Sequence, residues 1–151
     1  MSPVVRTTFV DRVHLSTWWG APSVADVASI RAELQSAALA DRRPLAMLLV
    51  VAPETAIAPS APRQAAISML RELGPRLVGC AVVIEGTGFR AAAVRAMFGT
   101  MALLVRGPLV WAAFDSYARG VAWLRQRIEL DEPGLGKALQ VLRAAPEQAA
   151  C

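Results

Sequence analysis

The sequence predicts an α/β domain built on a five-stranded mixed sheet, with an N-terminal β-hairpin, βαβ crossovers and four to five helices. Two short apolar runs, Leu45–Val51 and Val78–Ile84, have the composition of buried strands, and Leu109–Phe114 is predicted as a last strand. Segments with helical spacing of apolar residues separate these runs, as in parallel strands joined by right-handed crossovers. Val4–Trp19 is rich in β-branched and aromatic residues and predicts the hairpin.

The first helix has a recognisable start and end. Gly20–Pro22 breaks the second arm of the hairpin, and Ser23 follows in the position of a helix N-cap. Asp26 stands three residues later, where it completes a capping box. We expect this helix to run to about Ala40. Its inward face is predicted by apolar residues at helical spacing, namely Val27, Ile30 and Leu34.

The second half of the chain continues the alternation of helix and strand. A loop with three prolines, Ala52–Pro62, precedes a predicted helix at Arg63–Leu73, and a longer helix is predicted at Phe89–Val105. Asp115-Ser116 then begins a helix whose apolar stripe is Tyr117, Val121, Leu124 and Ile128. We assign residues 1–130 to one domain and residues 131–151 to a C-terminal tail, in which one more helix is predicted at Leu135–Ala144.

The apolar content is high for a globular chain, at 55% of 151 residues. The uncharged apolar runs Pro44–Pro53 and Ala96–Val105 are nevertheless far shorter than the roughly 20 residues of a membrane-spanning helix. Met1–Arg12 carries three charges and has no apolar run of the kind found in a signal peptide. We therefore expect a cytoplasmic protein with no membrane span.

The net charge of +4 comes from an excess of arginine, which raises the question of nucleic-acid binding. Clustered basic side chains would be needed for that function, and here the arginines are mostly single along the predicted helices, with only Arg42-Arg43 and Arg125/Arg127 close together. Solvated faces of amphipathic helices account for this distribution. No nucleic-acid partner is predicted.

Candidate catalytic and metal-binding residues are few. Cys80 and Cys151 are too few for a disulfide framework or a zinc site, and Cys80 is expected to pack as a small apolar residue. The single histidine, His14, stands between Val13 and Leu15 on the second hairpin arm. A general base is one interpretation, but a polar residue on the solvent face of the strand is the one we favour. We predict no metal, no cofactor and no enzymatic activity.

A glycine-containing turn opens the long helix. Gly86-x-Gly88-x-x-Ala91 has the form of a dinucleotide-binding turn, in which phosphate approaches the helix N-terminus. Glu85 would place a negative charge beside that phosphate, so a tight turn needing glycine conformations is the favoured interpretation. The candidate ligand-binding residues are Gly86, Thr87, Gly88 and Arg90. Arg90 and Arg95 are expected to form solvated ion pairs, with Glu85 among their partners, or alternatively to bind an anion.

Three local phrases resemble a known family. They are the turn Thr17–Gly20, the junction Val83–Ala92 and the segment Asp115–Leu124, in the order predicted above. Together they resemble the SpoIIAA-like group of STAS/SEC14-type domains, which is common in bacterial genomes, over roughly residues 5–128. The resemblance implies the same α/β fold and a non-catalytic module that binds partner proteins.

Some STAS-type domains are controlled by a phosphorylated serine in an Asp-Ser-Ser/Thr-Gly phrase at a strand-to-helix junction. This chain has Pro53–Ser60 at the corresponding loop and departs from the phrase. Thr55 and Ser60 are the residues of that loop that could be modified, but the family's phosphorylation site has no match at either.

The predicted function is that of a non-enzymatic regulatory or scaffolding module. It would bind another protein, or a second copy of itself, through an exposed helix face or a hairpin edge. The alternative is a small-ligand domain for an anion, a nucleotide or a lipid, using the Gly86–Arg90 turn and bounded on the other side by the Pro53–Pro62 loop.

Overall fold

The computed structural model describes residues 4–53, 55–56, 58–105 and 110–149, with side chains described as far as residue 144. Five strands and five α-helices alternate in the order ββαβαβαβαα. The strands are β1 Val5–Val10, β2 Val13–Trp18, β3 Leu45–Val51, β4 Leu77–Ile84 and β5 Trp111–Phe114. The helices are α1 Val24–Ala40, α2 Ser60–Leu73, α3 Phe89–Leu104, α4 Tyr117–Arg125 and α5 Glu132–Ala149, with a 3₁₀ turn at Gly74–Arg76.

The sheet is mixed, as predicted. Its spatial order is β1-β2-β3-β4-β5, with β1 and β2 antiparallel and every other neighbouring pair parallel. Because each crossover moves one strand in the same direction, the right-handed rule places α1, α2 and α3 on one face. The remaining helices, α4 and α5, cover the opposite face.

The strands separate two apolar clusters by strict alternation. Met47, Leu49 and Val51 of β3 face the cluster shared with α1, α2 and α3, whereas the residues between them face α4 and α5. All seven residues of β3 are buried, which confirms a strand covered on both faces. Cys80 of β4 is 1% exposed, and burial raises the pKa of its thiol to about 12. Cys151 lies outside the described residues.

Helix α1 is fixed at both ends by polar contacts. Ser23 and Asp26 form the predicted capping box, each side chain accepting a hydrogen bond from the other's backbone amide. At the other end, the buried guanidinium of Arg12 donates to the carbonyl oxygens of residues 37, 41 and 43. Arg76 donates to those of residues 38 and 41. Two cations therefore satisfy the carbonyls that a helix C-terminus leaves unpaired.

Some boundaries differ from the prediction. Helix α2 begins at Ser60 rather than Arg63, because Pro62 falls in the first turn, where a missing amide costs no helical hydrogen bond. Strand β5 begins at Trp111, and residue 109 of the predicted run lies outside the described residues. The segment predicted as a tail forms the 18-residue helix α5. It contributes three leucines to the second core cluster, Leu135, Leu139 and Leu142.

Candidate functional site

The predicted glycine turn lies between β4 and α3 at the carboxyl end of the parallel strands. Gly86 and Gly88 have φ angles of +100° and +107°, which confirms that the turn uses glycine conformations. A Cβ at Gly86 would lie 2.9 Å from that of Pro53, so the turn packs against the proline-containing loop. The four candidate residues Gly86, Thr87, Gly88 and Arg90 are exposed.

The charges around this turn have partners that the sequence analysis did not foresee. Glu85 pairs with Arg143 of α5. Arg95 donates to the carbonyl oxygens of Ile84 and Gly86, at 3.2 and 3.4 Å. The expectation of a solvated ion pair is therefore wrong for Arg95, whose guanidinium instead holds the end of β4 and the turn in place.

A cavity of about 260 Å³ lies beside the turn, under α5. It is lined by Thr17, Trp18, Trp19, Val50, Ala52, Pro53, Glu85 and Arg143. The hydroxyl of Thr17 is buried and has no hydrogen-bond partner in the described part of the chain. The structure thus brings the Pro53 loop and the end of β4 to one cavity, and the predicted residues Gly86–Arg90 lie next to its lining rather than in it.

His14 is fully buried, and the expectation of a solvent-facing residue is wrong. Helix α1 covers this end of β2, and the Nε2 atom lies 2.6 Å from Oε2 of Glu33. The other oxygen of Glu33 accepts a hydrogen bond from the Thr7 hydroxyl at 2.9 Å. The hydrogen bond from His14, followed by that from Thr7, holds the pKa of the Glu33 carboxyl below its usual value against the opposing effect of burial.

Thr55, one of the two loop residues considered for modification, is also inside the fold. It is 3% exposed, and its hydroxyl donates to the carbonyl oxygen of Trp18 at 3.3 Å. Ser60 is exposed at the first turn of α2. In the described ranges, no group of three or more acidic, cysteine or histidine side chains has the arrangement of a metal site. No helix there is long and apolar enough to cross a membrane.

Helix α3 exposes large apolar side chains to solvent. Its solvent side carries an apolar strip, which we name the outer strip: Phe89, Ala92, Ala96, Gly99, Thr100 and Leu103. Phe89 is 90% exposed and Leu103 is 82% exposed. At about 100° per residue, Arg90 and Arg95 project to either side of this strip. The outer strip therefore has no charged side chain.

A groove separates α3 from α2. It encloses about 450 Å³, and its apolar lining comes from Ile67 of α2 and from Met97, Met101 and Leu104 of α3. Arg63 and Ser60 line it from the polar side. The groove and the outer strip adjoin along α3, so they form one continuous surface.

The outer strip is the feature that sequence analysis missed. The predicted stripe of the long helix, Val94, Met97, Phe98, Met101 and Leu104, includes its buried face, but Leu104 is 49% exposed. The signal that could have shown the second face was the charge count, because α3 has two charged residues in 16. A helix that is apolar on every side is normally covered on every side.

No protein-family model matches the chain, and no curated protein matches it significantly.

Proposed function

We propose that this protein is a non-enzymatic interaction module that binds another protein, or a second copy of itself, through the outer strip of α3. The observation that carries the proposal is the outer strip itself, which has no charged side chain and in which Phe89 and Leu103 are almost fully exposed. Contiguous exposed apolar surface on a globular protein is characteristic of an interaction site. A partner that covered these two side chains would gain about 1.5–3 kcal/mol from each.

The solvent sides of the neighbouring helices support this choice of surface. Helix α2 exposes Ser60, Gln64, Ser68, Arg71 and Glu72. Glu72 pairs with Arg31 of α1 and also accepts a hydrogen bond from Gln35. The same side of the sheet therefore combines a polar solvent surface over α2 with an apolar one over α3.

A regulatory or scaffolding role in a bacterial cytoplasm is the finer part of the proposal, and it rests on the resemblance to SpoIIAA-like domains. The position of His14 agrees with a non-enzymatic role. Its Nε2 atom is engaged by Glu33, and the ring is 0% exposed, so this group does not reach a substrate in solution.

Native mass spectrometry of protein isolated gently from its own host tests the proposal. We expect a protein-sized added mass on the wild type that disappears from the variant Phe89→Gln/Leu103→Gln. The matched control is Leu39→Gln/Val141→Gln, since Leu39 of α1 is 90% exposed and Val141 of α5 is 68% exposed. A wild type without an added mass, or an added mass that survives in the α3 variant, would contradict the proposal.

A second candidate function is the binding of a small anion, nucleotide or lipid at the cavity under α5. The buried, unpartnered hydroxyl of Thr17 and the nearby guanidinium of Arg143 favour it, because both can donate hydrogen bonds to such a ligand. A thermal-shift screen with nucleotides, phosphate and short-chain fatty acids tests it. Bound ligand raises the melting temperature by mass action, and Arg143→Gln should abolish that rise. An unchanged melting temperature throughout the screen would count against this candidate.

A further inference from the structure

We propose that the cavity under α5 binds a small organic carboxylate, and that Arg6 of β1 is the residue that neutralises the carboxylate group. This inference rests on the second candidate function given above, because it names the ligand class and one further residue of the same site. The evidence is a pair of neighbouring buried polar atoms without partners, the charge balance around the cavity, and the cavity's size.

Arg6 and Thr17 are direct neighbours on the face of the sheet that α5 covers. They lie opposite each other in the antiparallel pairing of β1 and β2, so their Cβ atoms are roughly 4.5–5.5 Å apart. Val10 of β1 and Leu15 of β2 pack in the cluster shared with α4 and α5. Because every second residue of a strand shares a face, Arg6 and Thr17 lie on that face as well. Thr17 also lines the cavity.

Both side chains have a buried polar atom without a hydrogen-bond partner in the described part of the chain. These atoms are the Thr17 hydroxyl oxygen and the Nε atom of Arg6. Thr17 is only 2% exposed, so bulk water does not satisfy its hydroxyl. Buried polar groups are normally paired, because leaving one unsatisfied destabilises the fold. Two unsatisfied donors on adjacent residues indicate a ligand that accepts hydrogen bonds from both.

The charges at this site determine the charge of the ligand. Arg143 and Glu85 both line the cavity and pair with each other, so their charges compensate. Arg6 has no ion-pair partner among the described residues, and its positive charge is therefore left over. A carboxylate balances a single positive charge. A phosphate monoester carries about −1.5 to −2 at pH 7 and would leave an excess of negative charge beside Glu85.

The remaining lining is apolar and limits the size of the ligand. It comes from Trp19, Val50, Ala52 and Pro53. Val50 is paired with Thr17 across β2 and β3, so an apolar group placed there lies next to the hydroxyl. The volume of about 260 Å³ is just below the roughly 300–1,000 Å³ of sites for drug-sized ligands. We therefore expect a carboxylate attached to one ring or to a short branched chain.

Three compounds with the same phenyl ring test the class of ligand. Isothermal titration calorimetry of the full chain should detect binding of benzoate at millimolar concentrations. Benzamide and phenyl phosphate should each bind about tenfold more weakly, because the amide is neutral and the phosphate carries the wrong charge. Tighter binding of phenyl phosphate than of benzoate would overturn the carboxylate and leave the cavity as a phosphate site.

The thermal-shift screen separates this inference from the function on which it rests. Stabilisation by nucleotides or phosphate, without binding of benzoate, would overturn the carboxylate alone. No response to any compound in either measurement would overturn both the carboxylate and the second candidate function.

Arg6→Gln tests the residue that neutralises the ligand. We expect it to weaken benzoate binding about tenfold, since it removes the uncompensated charge. The matched control is Arg42→Gln, which removes the same charge from an exposed position before β3, at the opposite end of the parallel strands. Unchanged benzoate affinity in Arg6→Gln, or an equal loss in Arg42→Gln, would overturn the role of Arg6.

Thr17→Val tests the unpartnered hydroxyl and has a readout that needs no ligand. It should weaken benzoate binding while leaving the melting temperature of the unbound protein unchanged or raised, because no hydrogen bond within the chain is lost. Thr7→Val is the matched control. Its hydroxyl donates to Glu33 at 2.9 Å, so this variant should melt at a lower temperature. An equal fall in both variants would show that the Thr17 hydroxyl is satisfied within the fold and would overturn the inference.

Discussion

Helices α3 and α4 each contain an internal glycine, and these two glycines have opposite surroundings. Gly120 of α4 faces the sheet, where an added Cβ would lie 2.7 Å from Cγ2 of Val83. Gly99 of α3 faces solvent, where an added Cβ would meet nothing within 4 Å. Packing within the chain explains the first glycine. Packing within the chain does not explain the second, and an added Cβ at Gly136 of α5 would likewise meet nothing within 4 Å.

The same contrast extends to whole surfaces. Both ends of α1 have polar partners within the fold, from its capping box to the arginines at its carboxyl end. Helix α3 begins after Gly88 without a side-chain cap and exposes Phe89 and Leu103. Substitutions at core-facing and at solvent-facing positions therefore distinguish residues that stabilise the fold from residues that serve interaction.

The largest effect is expected at the inward glycine. Gly120→Val forces a Cβ and two methyl groups into the contact with Val83, a stiff side chain in the core. Overpacking of this kind destabilises the fold by roughly 3 kcal/mol. Urea unfolding of the variant and the wild type measures the difference. Gly99→Val is the matched control, and we expect it to leave the free energy of unfolding nearly unchanged. Equal losses at the two positions would remove the contrast.

The second prediction concerns the hydrogen bonds between Glu33 and the side chains of His14 and Thr7. Glu33→Gln weakens its bonds to His14 and Thr7 and should lower the free energy of unfolding by roughly 1.5 kcal/mol at pH 7. Because the folded pKa of Glu33 lies below the ordinary value of 4.5, the wild type keeps this contribution above about pH 4.5. It loses the contribution as pH falls through the lowered pKa.

Denaturant titrations between pH 3 and pH 7 check this dependence. The stability curves of wild type and Glu33→Gln should converge at the acidic end. Glu129→Gln, an exposed substitution near α4, serves as the control and should leave the curve unchanged. Parallel curves over the whole range would show that the Glu33 carboxylate does not stabilise the fold in this way.

Features that depend on residues close together in the sequence were predicted correctly. Features that depend on contacts between distant residues were not. Continuous apolar runs predicted the buried strands, and Ser23 with Asp26 predicted the start of α1, because both signals are local. The burial of His14 was not predictable, since it depends on α1 folding over β2. The pair Glu85–Arg143 joins residues 58 positions apart. It was missed because α5 was assigned to a tail.

The candidate site also contains features that the sequence predicted and features that it did not. The glycine conformations at Gly86 and Gly88 were predicted correctly from the turn alone. The outer strip of α3 was not, although its residues are all within one helix. Helical spacing of apolar residues identifies the stripe that fills the core, whereas the outer strip is indicated by the low number of charged residues, two in a 16-residue helix.

A smaller effect is expected at the helix N-termini, where α1 and α3 differ. Ser23→Ala removes the side chain that accepts from the Asp26 amide and should cost about 1 kcal/mol in thermal or urea unfolding. Gly88→Ser should not bring the corresponding gain at α3, because φ at this position is +107°, a conformation that disfavours serine. Stabilisation by Gly88→Ser would contradict this view of the turn.

The smallest effect distinguishes the two roles of Gly99. Gly99→Ala adds a methyl group in open space and improves helix propensity, so the isolated chain should become more stable by roughly 0.5–1 kcal/mol. The same methyl group would hold a partner away from the outer strip, so association of a second copy at this surface should weaken. Urea unfolding at low protein concentration measures the first quantity, and sedimentation equilibrium measures the second. Opposite signs are the signature of a residue kept for contact with another molecule. A substitution that improved both quantities would show that close approach at Gly99 is not used.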